Sequence, residues 1–423
     1  MSAADILDDL QARGLLLDST DPVVLRARLA EGPIALYAGF DPTADSLHVG
    51  NLVPLLLLRR FQEHGHRPVA LAGGATGMIG DPGGRSAERN LLDRETLDRN
   101  LAAIKGQLEQ LLDFSDGPAQ ALLVDNRDWT EPIGVLEFLR DVGKHVTVNT
   151  MLAKESVRAR VQSENGISYT EFSYMLLQAN DYRHLNDELG VELQVGGSDQ
   201  WGNITAGIDL IRRVNGRHTH GLTVPLVTRA DGEKFGKSAE GAVWLSAERT
   251  SPYAFYQYFV NVDDRDVERF LLQLTLLPVD RVAEIVAEHA TAPERRHAQR
   301  VLAREVTALV HGSEEADRAA GASQDFTRGT AELTVSEWEA LATSLPVVAL
   351  GADALDTDLV DLLAAHQVVG SKSEARRLIA QGGLYLNDVA VTEGRALLAT
   401  DLFDATFALV RRGKKHRYVL RVT

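Results

Sequence analysis

The sequence predicts an α/β protein: a doubly wound parallel sheet, then an all-helical domain, then a small α+β domain. Three observations carry this. Short apolar runs at Ile34–Phe40, Pro68–Gly73, Ala121–Val124 and Val191–Val195 read as buried strands and alternate with helical patterns, the arrangement that builds a parallel sheet. From Ser251-Pro252, an N-cap and first helical position, to about Ala322 the chain reads as consecutive helices broken near Pro278, Pro293 and Gly312. From Asp358 it reads as a helix, a turn, a second helix over Ser373–Gln381 and short strands to Thr423. Ligands are then expected at the C-terminal ends of the parallel strands.

Composition bounds the rest. The 423 residues are 44% hydrophobic and 25% charged, enough for a globular protein of two or three domains. There is no cysteine, so neither a disulfide framework nor a thiolate zinc site is expected. No apolar run approaches the roughly 18 residues needed to cross a bilayer, and Met1-Ser-Ala-Ala-Asp5 lacks the basic start of a signal peptide. The expected location is cytoplasmic. Net charge is −16, yet residues 366–423 carry ten lysines and arginines against five acids, leaving −21 on the rest. An acidic body ending in a basic domain points to a polyanionic partner at that end.

Taken in order, residues 5–30 form a helix-rich lead-in with Asp21-Pro22 as cap and first turn. Leu52–Phe61 is too long and leucine-rich for a strand and reads as a buried helix. His48-Val49-Gly50-Asn51 therefore lies at a strand-to-helix turn, where free backbone N–H groups favour an anion. Gly50 allows a ring or ribose to approach, and His48 and Asn51 can donate to phosphates or hydroxyls. The same residues also suit a plain helix cap. No G-x-x-x-x-G-K-[ST] phosphate loop occurs. Gly73 to Gly84 holds six glycines in twelve residues, which means sharp bending or ligand contact. Asp81 within it suits an ammonium group, and Arg85 and Arg89 beyond it suit a phosphate or carboxylate. A surface loop would read similarly.

Helices over Leu97–Leu112 and Pro132–Val142 flank the third strand, with Asn126 and Trp129 just after it. Tyr174, Gln178 and Asp181 lie at i, i+4 and i+7, one face of a helix. Phenol, amide and carboxylate on an otherwise apolar helix would be satisfied by a small zwitterion bearing a hydroxyl, or by solvent. Gly196–Asn203 opens the next helix and places Asp199 and Gln200 where a ribose could be read. The last strand is expected to end at Leu226-Val227. In the loop Arg229–Glu240, Lys234 and Lys237 can close over a triphosphate, as an ordinary solvated loop could also carry them.

Together these stretches resemble a family. His48-Val-Gly-Asn51 is similar to the HIGH motif of class I aminoacyl-tRNA synthetases, and Lys234-Phe-Gly-Lys-Ser238 to their KMSKS loop. Tyr37-Ala-Gly-Phe-Asp-Pro-Thr-Ala-Asp-Ser-Leu-His48, the glycine loop through Asp81, Tyr174…Gln178…Asp181 and Gly196-Gly-Ser-Asp-Gln-Trp-Gly-Asn203 narrow the resemblance to bacterial tyrosyl-tRNA synthetases. Asn51 replaces the second histidine of HIGH, and Phe235-Gly236 replaces Met-Ser of KMSKS.

The resemblance implies a Rossmann-like catalytic domain over 1–228 with a dimer-forming helical insertion. It implies a KFGKS loop and linker over 229–250, a helical anticodon-side domain over 251–325, a connector over 326–355 and an RNA-binding domain of ribosomal-protein S-four type over 356–423. It implies tyrosine activation with Mg-ATP and transfer to tRNA(Tyr), with no tightly bound cofactor and no metal site. Catalytic roles fall on His48, Thr43, Lys234 and Lys237. Tyrosine binding falls on Tyr37, Asp81, Tyr174, Gln178 and Asp181. ATP binding adds Asp41, Gly50, Asp199, Gln200 and Ser238, with Arg85 and Arg89 near pyrophosphate or carboxylate. RNA binding falls on Lys372, Arg376 and Arg377 of a basic helix and on Arg411, Arg412, Lys414, Lys415 and Arg417 of a basic turn. Tryptophanyl-tRNA synthetases and a non-catalytic RNA-binding protein on this fold are the alternatives. Tyr37 with Asp181 argues for a hydroxyl in the pocket, so no editing domain is expected.

Overall fold

The computed structural model describes residues 6–82, 92–162, 166–230, 235–238, 241–328, 330, 333–413 and 416–423. Asp18–Ser19 (β1), Ala35–Phe40 (β2), Arg67–Ala72 (β3), Leu122–Asp125 (β4), Val191–Gly197 (β5) and His220–Val224 (β6) form one sheet, ordered β1-β6-β5-β2-β3-β4. β2 to β6 are parallel, and their apolar side chains, among them Leu36, Val69, Ala70, Leu193 and Leu222, are fully buried. The chain moves outward from β2 through β3 to β4, then returns to the other side of β2 for β5 and β6. Direction therefore reverses between β2 and β5, and their C-terminal ends frame the expected crevice.

Two departures from the expected sheet have local causes. Within the helix-rich lead-in, the turn between helices Ile6–Ala12 and Pro22–Glu31 contributes β1, which runs antiparallel on β6 and makes the sheet mixed. Backbone bonds from Leu17 to Thr223 and from Thr20 to Gly221 hold it there. The last strand stops at Val224 rather than Val227, because Pro225 has no N–H to continue the ladder.

Three helices position the crevice. Val49–Glu63 (α1) starts earlier than its leucine pattern suggests, because His48 caps it. Tyr169–Leu189 (α2) starts at Ser168, whose hydroxyl accepts the Glu171 N–H, and ends where Gly190 adopts φ +65°. Its first turn is pinned by a buried Arg160–Glu171 ion pair at 2.7 Å. Trp201–Asn215 (α3) follows β5 and packs along α2. Short strands Lys237–Ser238 (β7) and Gly241–Ala242 (β8) pair antiparallel inside the segment expected to be loop.

The chain divides into two compact units, residues 1–246 with 263–298, and residues 247–262 with 299–423. Helices Asp264–Leu274 and Val279–Thr291, expected within a separate helical domain, belong to the first. Arg60 of α1 and Arg13 both donate to the Leu272 carbonyl, and Arg60 also to Thr275, capping the C-terminal end of Asp264–Leu274 from the sheet side. Burial lowers the Arg60 pKa to about 9.

The second unit holds helices Pro252–Val260, Ser313–Arg328 and Val335–Ser344, most of His297–His311, and a five-stranded sheet. Val347–Leu350 (β9), Leu384–Leu386 (β10), Val389–Ala390 (β11), Phe407–Arg412 (β12) and His416–Val422 (β13) are ordered β11-β10-β12-β13-β9. The segment read as a connector thus supplies a helix and the parallel edge strand β9. Leu359, Leu363, Val369, Ala375, Leu384 and Leu420 form the core beneath this sheet.

Candidate active site

The expected residues at the strand ends converge into two hydrogen-bonded clusters. The inner one begins at Asp41, just past β2. Tyr174 Oη donates to Asp41 Oδ2 at 2.8 Å and Thr76 Oγ1 to Asp41 Oδ1 at 2.7 Å. Asn126, just past β4 and fully buried, donates from Nδ2 to Thr76 Oγ1 at 2.9 Å and to Asp181 Oδ2 at 3.0 Å. Its Oδ1 accepts the Ala75 N–H at 2.7 Å. Trp129 Nε1 donates to Asp181 Oδ1 at 2.8 Å. A Cβ on Gly73 would fall 2.1 Å from Asp41 Oδ1 and 2.5 Å from Thr76 Oγ1, so this cluster needs glycine there.

Burial pushes the Asp181 carboxyl up to about 7, against the pull of its bonds from Asn126 and Trp129. Burial and then the Asp181 charge drive Tyr37 well above the ordinary phenol range, so Tyr37 is a protonated donor. Tyr37 is 1% exposed, and its Oη has no hydrogen-bond partner within the protein. Buried hydroxyls seldom lack partners unless a ligand supplies one.

The outer cluster is built on Gln200. Its Nε2 donates to Asp81 Oδ2 at 2.7 Å and to Asp199 Oδ2 at 3.3 Å, while its Oε1 accepts from Gln178 at 3.2 Å and Asn203 at 3.0 Å. Gln178 Oε1 is buried without a partner. Lys154, half-buried, donates from Nζ to Asn203 Oδ1. Burial lowers its pKa to about 7, opposed by the Asp81 charge.

The turn before α1 settles the His48 tautomer. Gly50 N–H donates to His48 Nδ1 at 3.0 Å, so the ring proton lies on Nε2. Asn51 Oδ1 in return accepts the His48 N–H at 3.1 Å, a reciprocal cap. A Cβ on Gly50 would fall 2.8 Å from the His48 ring, so the imidazole itself demands glycine. Thr43 is exposed. The chain after the lysine loop runs against this turn: Val49 N–H donates to Val243 O at 3.0 Å, Leu245 N–H to Leu47 O at 2.8 Å, and Trp244 bridges His48. Val243 in turn donates to Gly236 O, which brings the backbone of Phe235-Gly236-Lys237 beside the His48 turn.

Arg85, Arg89, Lys234, Lys414 and Lys415 lie outside the described residues, and only the backbone of Lys237 and Ser238 is described. In the second unit, Lys372, Arg376 and Arg377 are exposed on helix Lys372–Ala380. Lys372 pairs with Asp361 at 2.9 Å and Arg376 with Glu393 at 3.7 Å. Arg411 lies 3.6 Å over the Tyr385 ring, Arg412 is 3.7 Å from Glu374, and Arg417 donates to Tyr253 Oη at 3.4 Å. Asn126, Trp129, Thr76, Asn203 and Lys154 join the site without having been assigned to it from sequence. Asn126 was findable, since it follows a strand end as Asp41 does; Lys154 carried no signal.

Residues 29–328 match the family model of class I tRNA synthetases (W and Y), and residues 337–420 match the tyrosine–tRNA ligase SYY-like C-terminal domain. The chain is 53% identical over 422 residues to a tyrosine–tRNA ligase of Opitutus terrae, covering 99% of both chains. It belongs to the tyrosine–tRNA ligase family. A second member, from Roseiflexus castenholzii, is 50% identical over 422 residues, again covering 99% of both. Among solved structures, the C-terminally truncated mitochondrial tyrosyl-tRNA synthetase of Aspergillus nidulans matches with a TM-score of 0.70 at 32% identity, covering 76% of this chain and 94% of that one. As a tyrosine–tRNA ligase the chain is a class I synthetase, and the tryptophan and non-catalytic alternatives are not favoured.

Proposed function

We propose that the Asp181 side of the inner cluster and the outer cluster are the two ends of a tyrosine site, with Tyr174, which bonds Asp41 and lies under the charges of both Asp81 and Asp181, between them, and that the His48 turn with the lysine loop is the ATP site. Tyr37 and Asp181 take the phenolic hydroxyl, Tyr37 donating and Asp181 accepting. Asp81, Tyr174 and Gln178 take the ammonium. The observation that carries this reading is the buried Tyr37 Oη, unpartnered in the protein and under the charge of Asp181, whose two oxygens accept from Asn126 and Trp129.

In the first step a tyrosine carboxylate oxygen bonds to the α-phosphorus of Mg-ATP, and the bond to pyrophosphate breaks. In the second, a hydroxyl of the terminal ribose of tRNA(Tyr) attacks the acyl carbon, AMP departs and the hydroxyl proton is lost. No covalent enzyme intermediate forms, so positioning and electrostatics do the work. Neutral His48, donating from Nε2, and Thr43 stabilise phosphate oxygens. Lys234 and Lys237, with Arg85 and Arg89, hold the leaving pyrophosphate. Asp199, Gln200 and Asp41 border the nucleotide, with Gly50 and Ser238 beside it.

The basic helix and turn of the second unit, S-four-like, hold the tRNA backbone through salt-sensitive phosphate contacts. A homodimer is supported by exposed Val135, Leu136 and Leu139 on Val135–Asp141 and Val148 and Leu152 on Val148–Leu152, an apolar area a second copy would cover. The reading includes a cytoplasmic location, and no helix among the described residues is long and apolar enough to cross a membrane.

Amino-acid-dependent ATP–pyrophosphate exchange without tRNA, comparing tyrosine, phenylalanine and tryptophan, tests the reading. Exchange with tyrosine alone is expected. Tyrosyl-tRNA synthetases as a family discriminate against phenylalanine by about 10⁵. Exchange supported equally by phenylalanine would remove the hydroxyl role of Tyr37 and Asp181.

A further inference from the structure

We infer that His184 is a specificity-determining positioning residue, whose imidazole lies flat on the Trp129 indole and fixes the angle at which Trp129 Nε1–H meets Asp181. The inference rests on the reading that Asp181 receives the phenolic hydroxyl.

Trp129 belongs to a four-residue helix, Arg127–Thr130, and is only half-buried. So short an element restrains an indole weakly, since two side-chain torsions must be set by contacts rather than by backbone. Two directed contacts of the ring are the 2.8 Å bond to Asp181 and a stack on His184, with centroids 4.4 Å apart and planes 18° from parallel. Asp181 and His184 are three residues apart on α2, hence neighbours on one face. One rigid helix thus presents both the acceptor for the indole N–H and the flat surface that aims it. A carboxylate buried as deeply as Asp181 depends on each donor it has, so a tilt of the indole alters the oxygen that meets the substrate.

Burial lowers the His184 pKa, with Glu188 and Asp187 opposing and Arg183 reinforcing the effect. The ring is therefore neutral at neutral pH, and a planar neutral residue can replace it. A polar imidazole is not required; flatness is.

The test uses the full chain with His184→Ala, His184→Phe and Trp129→Phe in pyrophosphate exchange with tyrosine and phenylalanine, alongside thermal melts. His184→Ala is expected to raise KM for tyrosine and lower the tyrosine/phenylalanine ratio of kcat/KM by about 3- to 10-fold, the range one aromatic contact supplies. KM for ATP and kcat should stay within about 2-fold, and His184→Phe should restore the ratio. An unchanged ratio in His184→Ala while Trp129→Phe lowers it would overturn the role of His184 alone. An equal rise in KM for ATP, or no recovery in a folded His184→Phe, would overturn it too. An unchanged ratio in Trp129→Phe would overturn the inference together with the pocket reading beneath it.

Discussion

The inner and outer clusters both hold carboxylates, but they are built differently. The inner one gives a buried acid, Asp181 of α2, two donors from just past β4, Asn126 and Trp129, and its members Tyr37, Asn126 and Asp181 are at most 2% exposed. The outer one hangs on a chain of side-chain amides, with Asp199 exposed and a half-buried base, Lys154, at its far end. Both titrate near 7, Asp181 raised and Lys154 lowered, each because burial disfavours its charged form. On the proposed reading, the rigid end discriminates a hydroxyl and the adaptable end accepts an ammonium that every amino acid carries.

The largest expected effects fall on Asp181. In Asp181→Asn, kcat/KM for tyrosine drops by about 100-fold, the cost of a lost charge-assisted bond, in pyrophosphate exchange at pH 8. In the wild type the same parameter falls as pH drops through about 7, where Asp181 takes up a proton. Stability moves the other way. The folded state holds this proton more tightly than the unfolded chain, so the wild type loses stability as pH rises from 3.8 to about 7. Urea titrations should find the gap to Asp181→Asn shifting toward the variant by roughly 4 kcal/mol between pH 4 and pH 8.

Lys154→Met carries the reverse sign. A folded pKa depressed from 10.5 to about 7 means the wild type gains stability as pH rises across that window. The same titrations should shift toward the wild type between pH 7 and pH 10, by about 2 kcal/mol since Lys154 keeps some solvent. Parallel slopes for the two variants would erase the contrast between the clusters.

Smaller effects sharpen it. Tyr37→Phe should cut the tyrosine/phenylalanine ratio about 10-fold while raising stability by about 1 kcal/mol, since an unpartnered buried hydroxyl is removed. Asn203→Ala, which separates Lys154 from Gln200, should raise KM for tyrosine about 3-fold and leave that ratio unchanged. A changed ratio there would mean the two ends are coupled.

Much of this was readable in the chain. Strand runs, the α1 leucines and the Tyr174, Gln178, Asp181 face are local periodicities, and local periodicity survives into the structure. What was not readable depends on distance. Asn126 meets Asp181 across 55 residues and Lys154 meets Asn203 across 49, and no spacing rule links such pairs. β9 was read as connector because four residues that join an edge strand look like any short apolar run. Helix Asp264–Leu274 was placed with its sequence neighbours, whereas Arg13 and Arg60 draw it to the sheet.

The seam between Leu47–Val49 and Val243–Leu245 has a consequence for synthesis. A ribosome that has made the chain as far as Val224 has supplied every strand of the first sheet. The partner of the His48 turn is still untranslated, some twenty residues away. The sheet can therefore be assembled while the nucleotide end lacks its second wall. Activity should emerge during translation later than protection of the sheet, with the arrival of one short hairpin dividing the two events.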